Sequence, residues 1–331
     1  MRSSLSINLI AFAMLASTSF VFEALARPGT ALNYYGERVE FTSIEAQDKT
    51  RPAWGYLSLP RSAVLPAPAM VLVHGSGGLG AREARYVDEY NKLGIVTLVV
   101  APFEVRGVKM TMDDQSLIGA AEMNSDAIGA LRLLQNDKRI DPRRIGIQGG
   151  SKGGNVALSL AFDGSFQARN LPRSMRFALH IPIYPGCSTQ QRNPKTTGKP
   201  ILLLAGDLDD YTNALQCRAY AASIKRMGGV VEFVSYLNAY HDFDGPEQMK
   251  LHWLPKVQNA SDCLAFSEDD GSVFEPSTGT KWPTFAAFQY DSLDQTKRPC
   301  VKYGAHVGSN AAAKKKSLED LTRFFKRTGF L

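Results

Sequence analysis

Histidine and cysteine are scarce in this chain, five and four residues of 331, and neither occurs at a metal-binding spacing: there is no C-x-x-C and no H-x-x-x-H. Zinc sites are built on such spacings, so no metal centre is expected. Tandem repeats and low-complexity tracts are missing as well. The excess of basic over acidic residues is small, a net charge of +6, and Lys and Arg are scattered apart from Lys314-Lys315-Lys316. That triplet reads as the solvated face of a C-terminal helix, and no nucleic-acid partner is expected.

A membrane-spanning run is missing too, although the first 26 residues invite the comparison. Met1 to Ala26 carries one basic residue, Arg2, then an apolar run from Leu9 to Phe22 broken only by small polar residues, then Ala24-Leu25-Ala26. The apolar core is short for a span of roughly 20 residues, and a small-x-small pattern comes directly after it. The segment therefore reads as a cleavable secretory signal, with no stable membrane insertion after cleavage and a location in the periplasm or the external medium. The remaining chain, 27–331, suits one large α/β domain or one domain with an insertion.

All four cysteines lie in that mature portion, and an even number in an exported chain reads as two disulfides. Three pairings are possible. Cys187 with Cys217 and Cys263 with Cys300 is the expected one, because the first two follow successive expected strands and the last two bracket one irregular segment.

The chain opens with two short strands, Arg38 to Thr42 and Trp54 to Leu59, joined by a polar turn as a hairpin. Then come apolar runs rich in β-branched residues: Ala69–Val73, Ile95–Val100, Arg144–Ile147, Phe177–Ile183, Ile201–Leu204 and Val230–Tyr236. Continuous apolar runs are what strands buried on both faces require. Segments of helical period separate or follow them: 81–93, 115–135, 153–161, 213–227 and 317–325. In the second, Ile118, Ala121, Ile128, Leu131 and Leu134 approximate one stripe. Strand and helix alternate, so a mostly parallel sheet with helices on both faces is expected. From about 245 to 306 the periodicity stops. That stretch is too long for an ordinary loop and reads as a cap or excursion before the last helix, either shaping a pocket or serving as a structural flap.

Ile145-Gly146-Ile147-Gln148-Gly149-Gly150-Ser151-Lys152-Gly153-Gly154 is the sharpest signal. Gly149-x-Ser151-x-Gly153 fits the G-x-S-x-G nucleophile elbow and lies between an apolar strand and a helix, as that motif demands. Side chains two residues either side of the nucleophile would collide with neighbouring backbone, which explains the two glycines. Neither phosphate-binding glycine pattern fits the same run. The backbone N–H of Lys152, at a helix N-terminus, suits an oxyanion. A second donor is expected from Ser76, or failing that Gly77, in His74-Gly75-Ser76-Gly77-Gly78. After the strand at 201–204 come Gly206-Asp207-Leu208-Asp209-Asp210; Asp209 is the expected triad acid, with Asp207 and Asp210 as turn formers or a helix cap. His241 lies just past the last apolar strand and completes the order Ser, Asp, His. His74 and His180 read as structural, and His252 and His306 have no motif around them.

Arg106, in Phe103-Glu104-Val105-Arg106-Gly107, sits after the second main strand, at the sheet edge where α/β proteins bind substrates. It is expected either to hold a substrate carboxylate or to pair with Glu104 or another acid.

Together, His74-Gly75-Ser76-Gly77-Gly78, the elbow at Ser151, Gly206-x-x-Asp209-Asp210 and His241-x-Phe243 resemble the dienelactone hydrolase family of α/β-hydrolases. The resemblance runs from Tyr56 to the final helix, and Tyr184-Pro185-Gly186-Cys187 is similar to the exported branch of that family. It implies an α/β-hydrolase fold and hydrolysis of a small-molecule ester or lactone without cofactor or metal. Dienelactone-cleaving members have a cysteine nucleophile where this chain has Ser151, so the resemblance points to a general carboxylic ester rather than dienelactone. The alternatives are a peptidase or acyltransferase on the same triad, or a catalytically inactive fold used for binding. The short chain before Ala69 leaves no room for the propeller of prolyl-oligopeptidase-like enzymes.

Overall fold

The computed structural model describes residues 35–44, 50–163 and 175–331. The expected signal segment lies outside them. Eight strands form the main sheet: β1 (Glu37–Ile44), β2 (Thr50–Ser58), β3 (Ala67–Val73), β4 (Val96–Val100), β5 (Ile140–Gly150), β6 (His180–Ile183), β8 (Ile201–Gly206) and β9 (Val231–Tyr236), with β7 (Thr189–Gln191) set outside it. Their spatial order is β1-β2-β4-β3-β5-β6-β8-β9. The expected hairpin is the antiparallel edge, β1 on β2 and β2 on β4, and every pair from β4 to β9 is parallel. The apolar runs form the parallel part of the sheet, and those in its interior bury both faces, while β9 at the edge is half-buried over its middle four residues. On β3, Met70 and Leu72 pack into one side of the core, and Ala69, Val71 and Val73 into the other.

Helices α1 (Ala81–Lys92) and α6 (Ala311–Arg327) cover the first side through Tyr86, Tyr90, Leu321, Phe324 and Phe325. Helices α2 (Ala120–Gln135) and α3 (Lys152–Ser159) cover the second through Met123, Ile128, Leu131, Val156 and Ala157. Helix α4 (Ala214–Arg226) packs Tyr220 and Ile224 on Ile201, Leu203 and Val231. No helix among the described residues is long and apolar enough to cross a membrane.

Three expectations change. The helix read from Gln115 starts at Ala120: Gln115–Leu117 is a separate 3-10 turn capped by the Asp114 carboxylate, and Ile118 is extended. Consequently Ala121 is exposed while Met123 and Ala127 enter the core. The last helix begins at Ala311, where Asn310 accepts from the Ala313 N–H at 3.0 Å. Within it Lys315 and Lys316 are exposed, but Lys314 is buried, so the lysine triplet is not one solvated face.

The segment 245–306 is more regular than its sequence suggests. β10 (His252–Asn259) pairs antiparallel with β14 (Lys302–Val307). A second sheet, β13-β12-β11-β7, joins Ala265–Ser267 (β11), Val273–Glu275 (β12) and Thr280–Trp282 (β13) to β7 of the main body, followed by α5 (Phe285–Asp291). Both expected disulfides are present, Cys187–Cys217 and Cys263–Cys300. Beside the second, Arg298 and Glu275 form a fully buried ion pair at 2.6 Å.

Candidate active site

The elbow between β5 and α3 places Ser151 at φ 54°, ψ −117°. A positive φ on a residue with a Cβ is strained and persists only where the surroundings enforce it. Here they do. A Cβ on Gly153 would stand 2.1 Å from the Val73 carbonyl oxygen, and one on Gly149 would stand 2.3 Å from the Gly153 carbonyl carbon. The tight turn lifts Ser151 to the carboxyl end of β5.

The turns after β8 and β9 meet it there. His241 Nε2 is 2.9 Å from Ser151 Oγ, and His241 Nδ1 is 2.8 Å from Asp209 Oδ2. With a carboxylate on its Nδ1 side, the neutral ring carries its proton on Nδ1 and leaves Nε2 to accept from the serine hydroxyl. Asp209 is itself held, by the N–H groups of Tyr211 at 2.9 Å and Thr212 at 2.7 Å and by the Thr212 hydroxyl at 2.9 Å. The rings of Tyr184 and Tyr211 flank the imidazole, with centroids 4.6 and 4.8 Å from it. Burial is the largest influence on His241 and opposes its protonation. The Asp209 charge and hydrogen bond, with Asp242 adding to them, outweigh it, so the pKa lies above the ordinary value.

The loop after β3 closes on the elbow. Gly78 donates to the Gly75 carbonyl at 3.1 Å, and a Cβ on Gly75 would touch the Ser151 Cβ at 3.4 Å. Ser76 and Gly77 thus sit on the turn that abuts Ser151. The Lys152 side chain turns inward and donates to the Gln115 carbonyl at 2.9 Å and to Gln115 Oε1 and Thr111 Oγ1 at 3.2 Å. Burial pushes its pKa down to about 8, against the opposing pull of Glu122 and Asp114.

The other expected residues fall elsewhere. Arg106 pairs with an acid, one of its two expected roles: its Nη1 and Nη2 make a bidentate pair with Asp126 at 2.6 and 3.2 Å, and Nη1 also donates to the Pro102 carbonyl. Asp207 stays a turn former, accepting from the Ala239 N–H at 3.3 Å. Asp210 is not a helix cap but binds His306, at 2.7 Å between Oδ2 and Nδ1. His74 and His180 are buried, and burial, opposed by a backbone hydrogen bond, lowers each to about 4, so both are neutral. Among the described residues, Cys263, Glu275 and Cys300 form the one cluster with metal-ligand spacing. Its sulfurs are bonded to each other and its carboxylate is taken by Arg298, so it has no ligand set to offer.

Sequence reasoning misses Thr212, Tyr211, Tyr184 as a contact of His241, Gln115, and Arg82, which pairs with Asp242 and donates to the Tyr184 hydroxyl at 3.0 Å. Only Thr212 carries a readable signal, three residues after the acid on the same turn.

The family model described as the dienelactone hydrolase family matches residues 53–268, which take in Ser151, Asp209 and His241. The chain belongs to the dienelactone hydrolase family. Membership makes this family member a carboxylic ester hydrolase. A dienelactone hydrolase-like promiscuous phosphotriesterase from metagenomic libraries has the same fold, with a TM-score of 0.52 at 14% identity, covering 88% of this hydrolase and 98% of that chain. The propionate-bound esterase 2 of Thermogutta terrifontis aligns with a TM-score of 0.49 at 17% identity over 63% of this hydrolase and 86% of that chain. No match is found among curated proteins.

Proposed function

We propose that this chain is a serine hydrolase that cleaves a carboxylic ester or lactone through an acyl-enzyme on Ser151. One observation carries the reading: the unbroken line from Asp209 Oδ2 through His241 to Ser151 Oγ, with links of 2.8 and 2.9 Å. A serine hydroxyl is a poor nucleophile at neutral pH and needs a base to take its proton as it attacks. His241 accepts that proton while Asp209 fixes the tautomer and stabilises the imidazolium. The carbonyl oxygen becomes an oxyanion, held by the backbone N–H of Lys152 and that of Ser76 or, failing that, of Gly77 on the same turn. Collapse breaks the bond to the alkoxy group, and His241 returns the proton to it as the alcohol leaves. Water then repeats the sequence on the acyl-enzyme, releasing the acid and restoring Ser151. No step needs a metal or cofactor.

The same proposal places the enzyme outside the cytosol, supported by the leader-like first 26 residues and by two disulfides, which persist in oxidising compartments. N-terminal sequencing of the purified native protein should begin at Arg27; an intact Met1 would contradict export by cleavage.

Hydrolysis of a series of p-nitrophenyl esters by the mature protein and its Ser151→Ala variant tests the chemistry. The expected result is turnover by the wild type and none above background by the variant. Equal rates in the two would remove Ser151 from the mechanism.

A further inference from the structure

Gln115 lies on the 3-10 turn before α2, remote in sequence from every residue of the triad, yet three parts of the site meet on its side chain. Its Oε1 accepts from the Ser76 hydroxyl at 3.0 Å, from Lys152 Nζ at 3.2 Å and from the Thr111 hydroxyl at 3.4 Å. Its backbone carbonyl accepts from Lys152 Nζ at 2.9 Å. Thr111 closes the circuit, donating its N–H to the Ser76 carbonyl at 2.8 Å and accepting from Lys152 Nζ at 3.2 Å.

We propose that Gln115 is a positioning residue of the oxyanion hole, held by the Lys152 ammonium so that the loop carrying Ser76 keeps a fixed distance from the elbow carrying Lys152. The inference rests on the function proposed above. Lys152 belongs to both arms: its backbone N–H is one oxyanion donor, and its side chain grips the residue that fixes the other. An ammonium carries three N–H donors, and all three acceptors around this one are neutral oxygens. Lys152 is only 9% exposed, so its charge is largely stripped of water. Keeping a cation there opposes folding unless those acceptors are in place, which makes the bridge rigid. Rigidity matters at this point because an oxyanion donor acts in the transition state, and a displacement of about 1 Å lowers the rate by roughly 100-fold.

Gln115→Leu keeps the size of the side chain and removes the acceptor; Gln115→Glu keeps the acceptor. Steady-state kinetics on a p-nitrophenyl ester, with melting temperatures as a check on folding, separate the cases. Gln115→Leu should lower kcat roughly 10- to 100-fold with KM changed less than about threefold, because the lost interaction belongs to the transition state. Gln115→Glu should restore kcat to within about fivefold of wild type, and Lys152→Met combined with Gln115→Leu should lose little more than either change alone, as expected of residues acting in one unit. Wild-type kcat in Gln115→Leu, a loss confined to KM, or a Gln115→Glu variant as impaired as Gln115→Leu would overturn the inference. A Ser151→Ala control separates the two claims: if Ser151→Ala turns over as fast as wild type the proposed function itself fails, whereas a dead Ser151→Ala beside an unimpaired Gln115→Leu removes the positioning role alone.

Discussion

Asp210 holds His306 with both carboxylate oxygens, Oδ2 at 2.7 Å from Nδ1 and Oδ1 accepting the backbone N–H at 2.9 Å, while its neighbour Asp209 holds His241. Two consecutive acids thus serve two histidines, one in the candidate site and one on the strand that brings the C-terminal segment back to it. Asp209→Asn should lower kcat by about four orders of magnitude by disturbing the tautomer of the base. Asp210→Asn should lower kcat less than about tenfold and reduce the melting temperature by roughly 2–4 °C, the effect of about 1 kcal/mol. Kinetics and thermal unfolding on the two variants side by side check this; the opposite ranking in kcat would mean that Asp210 is the acid.

Protonation of His241 would block the base role proposed for it, so activity should rise with pH. The net influence of Asp209 and burial raises the pKa of His241, which puts the midpoint above 6.5. For stability the direction reverses. A group whose pKa is raised on folding contributes stability that is fully present below its unfolded value and is lost as pH rises through the raised folded value. The difference in melting temperature between wild type and His241→Gln should therefore be greatest in acid and shrink across that window, and a pH-rate midpoint below 6.5 would contradict the assignment.

Gly153→Ala forces a methyl group to 2.1 Å from the Val73 carbonyl oxygen, a distance that only movement of the elbow relieves. The expected outcome is destabilisation of about 1–3 kcal/mol or more together with loss of esterase activity, read by chemical denaturation and assay. Unchanged stability would show that the elbow is looser than the geometry requires.

Arg106→Ala removes the bidentate Arg106 contact of the Asp126 carboxylate, which is almost fully buried. Breaking a buried pair on one side destabilises by roughly 3–5 kcal/mol. KM for anionic and neutral esters should change by the same factor, and a loss selective for anionic esters would return Arg106 to the substrate.

How far the sequence reveals this molecule depends on how local the determining contacts are. The central strands are legible because each is buried on both faces and is apolar throughout, as in Ala69–Val73. Ser151 with its two glycines is legible because the collision that requires glycine is set by the turn itself. The antiparallel pairing within 252–307 is not, because β10 carries Pro255 and a mostly exposed face, and its partner β14 is more than forty residues along the chain. The start of α2 is obscured because the 3-10 turn at Gln115 continues the apolar spacing through Leu117 and Ile118. Gln115 itself carries no local signal, because its partners Ser76 and Lys152 come from two distant segments. Arg106 reads equally well in two roles because its partner, Asp126, lies on α2 and no local pattern links them.

The central claim is that Ser151 is the nucleophile, and covalent labelling tests it most directly. The mature protein, incubated with a fluorophosphonate, should take up one equivalent, lose esterase activity in parallel, and yield a peptide modified at Ser151 by mass spectrometry. Ser151→Ala, shown to be folded by its thermal transition, should take up none. Label on another residue, or full ester turnover by the folded Ser151→Ala variant, would contradict the account.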